Sequence, residues 1–311
     1  MTDVQRAIVI GLGSMGQRRL ESLKALGVEA VALTRAGGAG SLSSREEVDE
    51  WGADAVVVCS PTSRHLDDVR WALEGGRHVF VEKPLAASLD GVDEVVELAE
   101  RSGLCLAVGY NLRFHPGLET IRTAIESCSI GCLLSARLEV GQFLLDWHPE
   151  EHYRESYVAQ AGLGGGALLT LSHELDLALW IGGPAQDAGG IAKRVSTLEL
   201  DVDDVAEVLL EHDSGAVTSV HVDLLDRAYN RRSRWVGSEA TLVWEWEGPV
   251  LRKVGAREEV LWEDGSFTIE ETYRRELADF LAACADGRPP RADGHAARAV
   301  LAACAAVTVR S

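Results

Sequence analysis

Positive charge is scarce in this chain. Its 30 lysines and arginines face 49 aspartates and glutamates over 311 residues, a formal net charge of -19. A surface that tracks the phosphates of a nucleic acid, or adheres to anionic lipid, needs a clustered excess of Lys and Arg. Nucleic acid and membrane are therefore not expected as partners. Lysine is the rarer cation: Lys24, Lys83, Lys193 and Lys253 are the only four, so a lysine inside a motif carries weight. No apolar run approaches the roughly 20 residues that span a bilayer. The opening MTDVQRAIVIGLGSMG has neither the basic n-region nor the longer apolar h-region of a secretion signal. The six cysteines are scattered, and Cys128 and Cys132 lack the paired C-x-x-C spacing of a zinc site. They read as reduced thiols in a cytoplasmic protein, with no metal site.

What is present is ample apolar material, 46% of residues, in a chain long enough for two domains of about 150 residues each. Short β-branched runs at 7–10, 30–34, 55–59, 78–81 and 104–108 alternate with helical patterns at 14–26, 65–73 and 92–99. Continuous apolar strands separated by helices predict a doubly wound parallel sheet covered on both faces. After residue 114 the pattern changes. Runs at 133–140, 205–211, 217–224, 233–236 and 241–245 read as strands, and polar–apolar alternation over 217–222 gives a sheet with one exposed face, hence antiparallel. Helices are expected at 167–180, 271–285 and 296–307. The fold class is α/β, a doubly wound domain over 1–116 followed by an α+β domain over 117–311 with an open, mostly antiparallel sheet.

Gly11-Leu12-Gly13-Ser14-Met15-Gly16 follows the first strand and opens the first helix. The first glycine permits the tight turn, the second lets backbone approach a pyrophosphate, and the third lets helix pack on strand. The helix N-terminus offers its unpaired N–H groups to the anion. About twenty residues on, an acidic residue would take the ribose 2′-hydroxyl of NAD. This chain has Thr34-Arg35 there, and Arg35 suits a 2′-phosphate, which favours NADP over NAD. Arg18 and Arg19, one turn into the helix, add positive potential. Ser60-Pro61-Thr62 and His65 follow the third strand at its carboxyl edge, where small polar residues suit close passage of a cofactor. Glu82-Lys83-Pro84 ends the next strand at the same edge. There Lys83 can aim an ammonium at a substrate oxygen and stabilise alkoxide character during hydride transfer.

These blocks resemble the glucose–fructose oxidoreductase / inositol dehydrogenase / MocA family. So do Gly109-Tyr110-Asn111-Leu112-Arg113-Phe114-His115-Pro116 and the run from Gly164-Gly165-Gly166 to His173-Glu174-Leu175-Asp176. The resemblance implies an N-terminal Rossmann domain and a C-terminal domain whose open sheet joins subunits into a homodimer or homotetramer. It implies an oxidoreductase for sugars, cyclitols and their derivatives, with NAD(P) and substrate meeting at the crevice between the domains. Lys83 matches the family's catalytic lysine and His173 its acid/base position. Glu82 and Arg113 fall with the cofactor set. Many members carry an aspartate where this chain has Thr170, and a hydroxyl cannot supply the charge that raises a neighbouring imidazole's pKa. Asp176 is the residue left to do so.

A helix from 167 puts Thr170, His173 and Asp176 at i, i+3 and i+6 on one face. An imidazole there can exchange a proton as hydride moves. Candidate substrate contacts are Tyr110, Asn111, His115, Trp147 with its neighbour His148, Tyr153 and Tyr157. The acidic run Asp201 to Asp204 reads as a solvated loop or strand start. The basic stretch of Arg227, Arg231, Arg232 and Arg234 is either an oligomer edge or an anion contact. Two further function classes fit the same residues: a hydrolase or lyase that retains its NAD and oxidises transiently, and a non-catalytic nucleotide-binding regulator.

Overall fold

The computed structural model describes residues 3–34, 41–147 and 152–310. The chain divides into two compact units, one of residues 1–111 and 269–298 and one of residues 112–268 and 299–311. In the first, β1 (Arg6–Ile10), β2 (Glu29–Leu33), β3 (Ser41–Leu42), β4 (Ala55–Val58), β5 (His78–Val81) and β6 (Leu106–Val108) form one parallel sheet. The order β3-β2-β1-β4-β5-β6 places the reversal of winding between β1 and β4, where ligands of such sheets bind. Every residue of β4 and β5 is buried, as a sheet covered on both faces requires. The connecting helices are α1 (Ser14–Ala25), α2 (Arg45–Trp51), α3 (His65–Glu74) and α4 (Val92–Ser102). The short β3 and α2 lie where no element was expected; α2 starts on Ser44, whose hydroxyl accepts the Glu47 N–H.

The second unit opens with α5 (Pro116–Glu126) and carries α6 (Ala167–Thr170) and α7 (His173–Gly182). Its sheet has nine strands: β7 (Leu133–Gly141), β8 (Ala185–Lys193), β9 (Val205–His212), β10 (Val217–Asp223), β11 (Asn230–Gly237), β12 (Thr241–Glu245), β13 (Val250–Val254), β14 (Arg257–Trp262) and β15 (Val307–Arg310). The order is β14-β13-β12-β11-β7-β10-β9-β8-β15. β7 with β10 and β8 with β15 run parallel; the other neighbouring pairs are antiparallel. The sheet is thus mixed and mostly antiparallel. On β9, Ala206, Val208 and Leu210 are buried while Glu207, Leu209 and Glu211 are exposed. That alternation matches one face covered by helices α6 and α7.

The single helix expected over 167–180 is two, separated at Leu171–Ser172. His173 is therefore the first residue of α7, and Thr170, His173 and Asp176 do not share one continuous helix face. The closing helices are α8 (Ile269–Asp286) and α9 (Gly294–Ala305); Val307, expected as a helix end, opens β15. A boundary at 116/117 would put α8 in the second domain. Instead its Leu277, Phe280, Ala283 and Cys284 complete the first unit's core with Val9, Val57, Phe80 and Ala107. Apolar spacing shows that a helix is buried but not against which sheet.

Candidate active site

The carboxyl edge of the parallel sheet is built by its loops. Gly11 has φ +88, and a Cβ there would meet the Cys59 carbonyl oxygen at 2.6 Å. A Cβ on Gly16 would strike the Gly11 carbonyl oxygen, whereas one on Gly13 meets nothing within 4 Å. Gly13 caps α1 without a side-chain hydrogen bond, and Gly13 and Ser14 are exposed with Met15 half-buried. A helix N-terminus facing solvent over a glycine with open space suits a dinucleotide pyrophosphate. The residues present thus fit the nicotinamide cofactor. Thr34 follows β2 and donates its N–H to Leu42. Arg35, the expected 2′-phosphate contact, lies outside the described residues, as does His148.

Several side chains expected at the cofactor are committed elsewhere. The Ser60 hydroxyl donates to Asp68 at 2.7 Å, and Asp68 also pairs with Arg45 at 2.8 Å. Thr62 is buried and Pro61 exposed. His65 is buried with both ring nitrogens 2.8 Å from carbonyl oxygens, Nδ1 from Pro84 and Nε2 from Ser60. It ties the Ser60 loop to the Lys83–Pro84 turn. Burial lowers its pKa below the ordinary histidine value, against the pull of those two carbonyls. Glu82 accepts from Arg19 at 2.7 Å, and Arg19 also donates to Glu276 at 2.8 Å. The Arg19 guanidinium is fully buried, 4.5 Å from the Phe80 ring centroid. Burial pulls its pKa down, yet Glu82 and Glu276 hold it above the ordinary value. Arg19 is thus paired with two buried or half-buried carboxylates. Arg18 stacks on Tyr273 at 4.6 Å. Lys83 stands half-buried after β5, and its bond to Pro84 is cis.

Two expected substrate contacts in the first unit, Tyr110 and Asn111, are buried. Tyr110 is fully buried, and Asn111 donates from its side chain to the Thr272 hydroxyl at 2.7 Å, anchoring the start of α8.

In the second unit Gly166, at φ +101, precedes α6, and Asp203 caps that helix by accepting the Leu168 N–H at 2.8 Å. Asp201 accepts from Ala161 N–H, and buried Asp204 from Val195 and Ser196. The acidic run, expected as a solvated loop or strand start, leads directly into β9 at Val205; Asp201 is exposed, and each carboxylate accepts from backbone N–H groups. Thr170 is buried and His173 half-buried. Asp176 is fully buried and holds Arg113 in a bidentate pair, with Nη2 to Oδ1 at 2.6 Å and Nε to Oδ2 at 2.9 Å. Burial raises the Asp176 carboxyl pKa, and Arg113 opposes it. Arg113, expected in the cofactor set, and Asp176, expected beside His173, are thus each other's charge partners. His115, expected at substrate, accepts the Gly117 N–H as the cap of α5. It sits among Trp244, Trp262 and Phe267 at ring distances of 5.2, 5.2 and 4.6 Å. Trp147 is half-buried, Tyr157 is exposed, and the Tyr153 hydroxyl accepts from Arg154 at 3.3 Å.

Within the basic stretch Arg231 turns inward and donates to Glu174 at 2.7 Å, while Arg232 on the other face pairs with Glu139. Strand alternation could have separated the two. His221 lies between Glu207 at 2.7 Å and Asp223 at 2.9 Å, which hold its pKa up at about 9. Its i+2 spacing to Asp223 was legible; the Glu207 partner was not. Among the described residues no group of His, Cys, Asp or Glu could hold a metal ion, and no helix is long and apolar enough to cross a membrane.

Residues 5–110 match the family described as "Oxidoreductase family, NAD-binding Rossmann fold", and residues 118–243 match "GFO/IDH/MocA C-terminal domain". Inositol 2-dehydrogenase 2 of Saccharopolyspora erythraea is 27% identical, with 95% of this chain and 91% of that protein covered. The uncharacterized oxidoreductase YrbE of Bacillus subtilis is also 27% identical, but the match takes in 71% of this chain and 64% of that protein, less than two thirds of its length. Among solved structures, levoglucosan dehydrogenase in complex with NADH superposes with a TM-score of 0.85 at 20% identity, covering 97% of this chain and 95% of that one. At that identity the likeness is one of fold.

Proposed function

Because the chain belongs to the GFO/IDH/MocA oxidoreductase family, we propose that it moves a hydride between a nicotinamide cofactor, NADP in preference to NAD, and a secondary alcohol or ketone of a sugar, cyclitol or sugar derivative. The observation that carries the reading is the first unit's edge. There an open glycine at an uncapped helix N-terminus and a half-buried strand-end lysine leave the same side of one parallel sheet. The name of a relative, an inositol 2-dehydrogenase matched over 95% of this chain, supports a polyhydroxylated substrate. Gly13, Ser14 and Met15 would hold the pyrophosphate, on a turn that Gly11 and Gly16 make possible, and Thr34 with Arg35 the adenosine ribose. The cofactor's chemistry is to take up or give back a hydride.

The protein supplies the rest. Lys83 donates a hydrogen bond to the reacting oxygen, so negative charge that develops there is stabilised. His173 takes the hydroxyl proton when the alcohol is oxidised and returns it when the ketone is reduced. Assembly through the second sheet is part of the same reading, supported by Leu209 and Val217, 58% and 46% exposed on its uncovered face. So is a reducing, cytoplasmic setting, supported by six cysteines that are all free thiols.

The test is a panel of myo-inositol, D-xylose and levoglucosan against NAD+ and NADP+, read by the near-ultraviolet absorbance of the reduced nicotinamide. Turnover of at least one, with higher kcat/KM for NADP+, is the expected result. Lys83→Ala should lower kcat by about 100-fold or more while NADP+ affinity stays within about threefold. Full turnover in that variant would sink the assignment. Tightly co-purifying cofactor with no net reduction would favour transient oxidation by a hydrolase or lyase instead.

A further inference from the structure

His173 begins a helix that lacks the usual means of fixing its start. Helix α6 ends at Thr170, and Ser172, the cap residue of α7, makes no side-chain cap bond. Its buried hydroxyl has no partner among the described residues. With no cap and a break ahead of it, the aim of its first residue rests on the contacts of the helix behind it. Leu175, Leu177 and Ala178 are buried as α7 packs against β7 and β10, and charge adds direction to that packing. Glu174 and Asp176 stand two residues apart, about 200° around the helix axis, so they face opposite ways. Arg231 on β11 donates to Glu174 at 2.7 and 3.4 Å. Arg113, ahead of α5, donates to Asp176 at 2.6, 2.9 and 3.1 Å. The four side chains are 11%, 2%, 6% and 1% exposed in that order, Arg231, Glu174, Arg113 and Asp176.

Buried ion pairs are poor sources of stability, because desolvation offsets their attraction. What a two-pronged guanidinium–carboxylate contact supplies is direction, since both N–H groups must align with both oxygens. The guanidiniums are themselves seated, Arg231 over the Trp246 ring at 5.5 Å and Arg113 over the Trp180 ring at 5.8 Å. On the reading of His173 as the proton-exchanging group, we infer that Arg231 and Arg113 are positioning residues, a two-sided clamp on the first turn of α7 that aims the His173 imidazole. Neither acts on substrate. Each fixes a carboxylate one or three residues beyond the histidine, and the helix transmits that fix to its first residue.

Two variants test the clamp. Arg231→Lys keeps the charge and gives up the two-pronged contact. The double substitution Glu174→Leu with Arg231→Met removes both charges together, so no lone buried carboxylate unfolds the protein. Enzyme labelled at histidine Cε1 and saturated with NADP+ is examined by NMR, the His173 signal being identified by its loss in His173→Asn. The wild type should give one sharp His173 signal. The double variant should give a broadened or split one, with its melting temperature little changed. With whichever panel substrate the wild type turns over, kcat should fall about 10-fold or more in the double variant while KM stays within about threefold, since a small misplacement of a catalytic group costs rate rather than binding. Arg231→Lys should recover part of that loss. A His173 signal and kcat unchanged in the folded double variant, or full recovery by lysine, would overturn the clamp. If His173→Ala keeps full turnover, or no member of the substrate panel is turned over, the catalytic reading fails separately and the NMR signal still decides the clamp.

Discussion

Gly13 and Gly16 sit in one motif, yet the space around them differs completely. A Cβ on Gly16 runs into the Gly11 carbonyl oxygen, and one on Gly13 enters open space at an ordinary φ of -65. Gly13→Ala should therefore fold, with a melting temperature within about 2 °C of wild type, and bind NADP+ about 10-fold more weakly because the methyl occupies the approach of the anion. Gly16→Ala should instead lose about 2 kcal/mol or more of stability by urea titration, since helix and strand must part to admit it. Equal stability of the two variants would refute this division of roles. The motif was legible because its parts are contiguous. The fates of Glu82, His65 and Arg113 were not, since their partners Arg19, Pro84 and Asp176 lie 63, 19 and 63 residues away.

At the scale of the element, β9 and β10 carry a charge arrangement that makes their pairing depend on pH. His221 hydrogen-bonds Asp223 and Glu207, and its pKa rises from 6.5 to about 9. A histidine whose folded pKa is raised stabilises the fold in full below its unfolded value, and that stabilisation is lost as pH climbs through the folded one. The loss should fall between about pH 6.5 and pH 9. The side chain is 35% exposed, so solvent screening leaves about 1 kcal/mol. His221→Gln should be less stable than wild type at pH 6 and level with it at pH 10 in urea midpoints. A difference that does not vary with pH would show that the two carboxylates do not act through the imidazolium. Alternation along β10 was readable in the sequence. The register His221 opposite Glu207, which creates the effect, was not.

For the whole molecule, the decisive feature is that the first unit is discontinuous. Phe280 of α8 packs edge-to-face on Phe80 of β5 at 5.8 Å and is 1% exposed. Phe280→Ala should cost about 3–5 kcal/mol, measured by denaturant unfolding, although it lies far from the nucleotide motif in sequence. A polypeptide of residues 1–111 alone should give no cooperative melt, while the same segment joined to 269–298 by a flexible linker should. A cooperative melt of 1–111 by itself would show that α8 is dispensable to that core.

The sequence by itself determined the doubly wound sheet, the glycine motif at its carboxyl edge and the strand-end Lys83, because local periodicity and contiguous spacing encode which faces are buried and where strands end. Scarce lysine and a net charge of -19 already required an anionic cofactor to be held by a helix N-terminus and a few local groups rather than by the overall field. Only the tertiary structure decided which charges meet. It gave Arg19 to Glu82 and Glu276, Arg113 to Asp176 and Arg231 to Glu174, and it broke the helix just ahead of His173. Periodicity specifies that a side chain turns inward. Its partner is chosen by segments far apart in the chain, where burial makes every unmatched charge costly.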